Sequence, residues 1–91
     1  MHGSGGTLRA EVHRVCVVYD GASGSVVHVH HDITLPGGTS ATEEEMEHAA
    51  VAQLQKRGRD RPGLEYLHVS AEEVQNRAGY SVDPLRKVLV Q

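Results

Sequence analysis

The segment from Val12 to Leu35 constrains the fold more than any other part of the chain. Two valine-rich arms, V-H-R-V-C-V-V-Y and S-V-V-H-V-H-H-D-I-T-L, are joined by D-G-A-S-G. Asp and Gly supply the backbone freedom that tight hairpin loops need, so the segment reads as one long β-hairpin. It holds four of the seven histidines, namely His13, His28, His30 and His31. Residues two apart in a strand point the same way, so His28 and His30 share a face.

The remaining elements follow from local signals. Strand one is expected from about Arg9 to Tyr19 and strand two from about Ser25 to Leu35. P-G-G-T-S-A-T then breaks the extended run, and Ser40 with Glu43 or Thr42 with Glu45 fits a capping box. A helix starting near residues 41 to 43 aligns Met46, Ala49, Ala50 and Leu54 on one face, with Gly58 as its C′ residue. L-E-Y-L-H-V is a third strand, Ser70 with Glu73 opens a short helical turn, and Asp83-Pro84 starts a turn between two short strands.

The order β-β-α-β-β-β defines an α+β, two-layer design. One main helix packs on a mostly antiparallel sheet of four to five strands. A right-handed crossover through the helix brings a later strand beside strand one. In element order over residues 8 to 90 the chain is similar to the ubiquitin-like β-grasp family. It ends V-L-V-Q without Gly-Gly, so none of that family's conjugation chemistry carries over. Residues 1 to 7 read as a flexible tail or cloning remnant, and 8 to 91 as a single small domain.

Composition sets the energetic frame. Val, Leu and Ile make up 21 of 91 residues, with no Phe, no Trp and three Tyr, so the core is thin and aliphatic. A chain this small gains materially from self-association or a partner. The net charge of −3 argues against a nucleic-acid binder. Lone Cys16 excludes an intramolecular disulfide framework. The longest apolar run, Val15 to Tyr19, is too short to cross a bilayer, and the expected compartment is the cytoplasm.

Hairpin register decides which residues meet the core. A three-residue loop with Gly24 left-handed sets Val27 and Val29 opposite Tyr19 and Val17; a four-residue loop from Gly21 to Gly24 pairs Asp20 with Ser25 and sets His28 opposite Val17. The first is preferred because it gathers Val15, Val17, Tyr19, Val27, Val29 and Ile33 on one apolar face, to be met by Met46, Ala50 and Leu54. The opposite face then presents Arg14, Cys16, Val18, Val26, His28, His30 and Asp32 as the expected interaction surface.

Three chemistries compete for these residues. The leading expectation is a non-catalytic protein–protein interaction module, working through that outer face and a free sheet edge, with another protein or a second copy as partner. The alternative is a divalent-metal site, zinc or similar, held by His28, His30 and Cys16 and completed across a dimer; otherwise no cofactor is expected. The third is contact with nucleic acid through Lys56, Arg57, Arg59 and Arg61. There the helix macrodipole already accounts for basic residues at one end and Glu43, Glu44, Glu45 and Glu47 at the other. No catalytic residues are assigned. A mid-strand cysteine lacks the setting that lowers a thiol's pKa, and no phosphate-loop pattern occurs.

Overall fold

A computed structural model describes residues 12–75 and 79–90 of the chain. The tail reading for residues 1 to 7, and the expected start of strand one at Arg9, lie outside the described residues. In order, the elements are β1 (Val12–Asp20), β2 (Val26–Thr34), α1 (Glu43–Lys56), β3 (Leu64–Ser70), α2 (Ala71–Gln75), β4 (Ser81–Asp83) and β5 (Val88–Val90). This is an α+β arrangement with one main helix.

The strands divide into two sheets, which corrects the expectation of a single sheet of four to five strands. One is three-stranded in the order β2-β1-β3, and the other is the hairpin β4-β5. Both neighbours of β1 run antiparallel to it, so β2 and β3 are parallel to each other with β1 between them. The connection through α1 therefore passes over β1, and the later strand beside strand one is β3.

Local chemistry fixes α1 closely. Thr42 is the N-cap: its hydroxyl accepts from Glu45 N at 3.1 Å, while Glu45 Oε1 accepts from Thr42 N at 2.8 Å. Two of the orphan amides at the helix start are thus satisfied reciprocally. The helix ends at Arg57, where Gly58 takes φ +66°, a value that suits a residue without a Cβ.

The hairpin combines both registers that the sequence leaves open. Its loop is the four-residue one: Asp20 N donates to Ser25 O at 2.9 Å and Gly24 N to Asp20 O at 2.7 Å. Asp20 Oδ1 accepts from Ala22 N and Ser23 N at 2.8 and 3.0 Å, stiffening the turn. Yet Val17 still pairs with Val29 and Val18 with His28, because a β-bulge follows the pair Tyr19–Val26 and leaves Val27 as the extra residue. One inserted residue restores the preferred register after an unfavoured loop.

The core lies on both sides of β1. Val15, Cys16, Val17, Val18 and Tyr19 are all 0% exposed. Cys16 and Val18 pack beneath Met46, Ala50 and Leu54 of α1. Val15, Val17 and Tyr19 pack against Ala71 of α2 and Val82 of β4. The expected faces are therefore exchanged: α1 covers the Cys16 side, and the Val15 side is closed by α2 and the small sheet. The cause is visible in V-C-V-V-Y itself, since five consecutive apolar positions leave no polar face for water.

Candidate functional site

Three rows of side chains cross the sheet beneath α1. They are Asp32–Arg14–Ser70, His30–Cys16–His68 and His28–Val18–Tyr66, read across β2, β1 and β3. Six of the seven residues expected to share a face do so: Arg14, Cys16, Val18, His28, His30 and Asp32. Val26 does not, because the bulge sends it to the Val17 and Tyr19 side and places Val27 on this one. The face is not an outer surface, however. Cys16 and Val18 are fully enclosed by the helix.

Burial also settles the chemistry of Cys16. Removal from water, followed by the charges of Glu47 and Glu43, pushes its thiol up to about 12. A thiol kept protonated is a poor nucleophile and a poor metal ligand. Among the described residues, no group of three or more His, Cys, Asp or Glu is placed to hold a metal ion. The set His28, His30 and Cys16 thus shares a face without assembling into a metal centre. His28 is instead held below the usual histidine range by burial, then by Arg57, His30 and Arg59, and its Nε2 is buried without a partner.

Polar latches occupy the rim. His68 Nε2 lies 2.7 Å from Glu47 Oε2, tying β3 to α1, a pair with no sequence spacing to announce it. Arg14 Nη2 donates to the carbonyl of Ala41 and stands 3.6 Å from Asp32 Oδ2. A cavity of about 320 Å³ opens beside Arg14 and is lined also by Glu43, Met46, His68, Val69, Ser70 and Glu73. The basic group at 56 to 61 is divided: Lys56 ends α1, Arg57 caps it, and Arg61 is drawn to Asp20 at 3.1 Å.

Among the described residues, β2 and β3 are the edges of the three-stranded sheet, each with a neighbour on one side only. Ile33 is 53% exposed and Leu35, just beyond the strand, 63% exposed. On the same side of the sheet as Ile33, His31 Nδ1 and His13 Nε2 lie 2.9 Å apart, with ring centroids separated by 5.1 Å. Neutral imidazoles at this distance share one proton as donor and acceptor. No helix among the described residues is long and apolar enough to cross a membrane. No protein-family model, curated protein or solved structure gives a significant match to this chain.

Proposed function

We propose that the protein is a non-catalytic binding module that takes up an extended protein segment along the outer edge of β2. The supporting observation is a nine-residue strand that, among the described residues, has one unpaired side, with exposed Ile33 within it and exposed Leu35 just after it. Unpaired backbone N–H and C=O groups are a template for an added strand, with main-chain hydrogen bonds giving affinity and alternate side chains giving selectivity. Edges that must stay single usually carry Lys, Pro or a bulge; β2, V-V-H-V-H-H-D-I-T, carries neither Lys nor Pro, and its bulge is confined to the turn end, leaving His28 to Thr34 in regular register. The other edge strand, β3, is shorter, and no large hydrophobic residue along it is exposed.

Selection of peptides from a displayed random library, followed by amide shift mapping, tests this reading. Selected peptides should move the backbone amides of β2 and leave those of β4 and β5 in place. Peptides that map only to other elements would refute it.

A further inference from the structure

We infer that the segment taken up by β2 is β2 of a second copy, laid antiparallel with the twofold axis at His31. The inference rests on the proposal that the β2 edge is the binding surface, and it names the occupant. Its starting point is symmetry. An antiparallel edge-to-edge pair has its axis perpendicular to the sheet, so every side chain keeps its own face. Directly opposed residues must therefore share a face, and the axis falls beside a residue, never between two.

The bulge then limits where the axis can lie. Flat pairing is available only from His28 to Thr34, since Val26 and Val27 are displaced by the irregularity between Val18 and Tyr19. His31 is the midpoint of that run. With the axis there, Val29 of each copy meets Ile33 of the other, and His30 meets Asp32, twice over by symmetry. Opposed β-branched pairs and imidazole–carboxylate pairs are both stabilising across antiparallel strands. Ile33 is half exposed in the single chain and gains a cover. Asp32 Oδ2 stands 3.6 Å from Arg14 Nη2 and, among the described residues, has no hydrogen-bond partner, so it gains a donor.

Neighbouring axes fit worse. At Asp32 the two carboxylates would face each other. At His30 the pairing runs into the bulge, where Val27 lies on the α1 side and Ile33, which it would have to meet, on the other. A slip of one residue along the axis is thus opposed in both directions.

The test uses the full chain in three forms. Sedimentation of the wild type should show a dimer that disperses on dilution. Ile33→Lys should weaken it at least about tenfold, since the lysines meet Val29 at both ends of the pairing. Its melting point should stay unchanged at concentrations where both proteins are monomeric, because Ile33 is 53% exposed. His31→Cys should cross-link on mild oxidation, because directly opposed residues on antiparallel strands fall within the Cα range a disulfide requires. Leu35→Cys, although exposed, should not, being well away from the axis. Buried Cys16 does not compete.

A chain that stays monomeric at about 1 mM overturns the inference and leaves the β2 edge to be judged by the peptide selection. A dimer that cross-links through Leu35→Cys and not His31→Cys overturns the axis. A dimer indifferent to Ile33→Lys overturns the inference as well, and again leaves the β2 edge to be judged by the peptide selection.

Discussion

Val82 N donates to the carbonyl of Gly24 at 2.8 Å, and a Cβ placed on Gly24 would lie 1.9 Å from the Val82 oxygen. This contact seats the small sheet on the turn of the first hairpin. Gly24 also sits at φ +83°, so substitution is opposed by backbone strain as well as by collision. Gly24→Ala should cost at least about 2 kcal/mol in urea denaturation. A near-native midpoint would mean that β4 does not dock there.

Cys16 should be inert while the chain is folded. Its thiol is held protonated, up to about 12, beneath α1. A chromogenic thiol reagent should react only at the rate of unfolding and fully in denaturant. Rapid labelling under native conditions would show that the helix does not cover this face.

Stability should fall on mild acidification. His28 and His31 are both held below the ordinary value of 6.5, each first by burial; Arg57, His30 and Arg59 add to the effect at His28, and His13 and His30 at His31. The unfolded chain then takes up the proton before the folded one. The stability these groups contribute is whole above about pH 6.5 and is lost as pH falls through their lowered folded values. Thermal melts between about pH 7.5 and about pH 5 should show a declining Tm, with the decline smaller in His28→Gln and His31→Gln. A flat profile would place both rings in ordinary solvent.

The His68–Glu47 contact, at 2.7 Å, should be measurable as a coupling between α1 and β3. A double-mutant cycle with His68→Ala and Glu47→Ala should return about 1 kcal/mol. Additive single effects would show that the two elements are held by apolar packing alone.

Much of the local structure was legible in the sequence. The capping box at Thr42 and Glu45, Gly58 at the helix end and the Asp83 turn act within a few residues, so spacing is enough to find them. The residue register Val17–Val29 was legible too, through the need to align valines. The bulge was not, because it offsets a loop whose length the sequence leaves open. The exchange of faces has a different cause: V-C-V-V-Y carries no alternation, and an unbroken apolar run marks a strand enclosed on both sides. The expected outer site at Cys16 and Val18 falls with that exchange. The latches Glu47–His68 and Tyr19–Glu65 join residues far apart in the chain, and only the folded path brings them together.

Enclosure of β1 also bears on how the chain reaches its native state. The strand is made before either of its covers, one of which comes from Met46, Ala50 and Leu54 and the other from Ala71 and Val82. Its two strand neighbours are separated from each other by the whole of α1. A nascent chain therefore exposes V-C-V-V-Y until nearly all of the later elements have emerged. During that interval the run is a hydrophobic segment of high β propensity, open to pairing with any similar strand nearby. Productive folding then depends on distant segments arriving before another chain does, which makes yield at high expression a race against concentration.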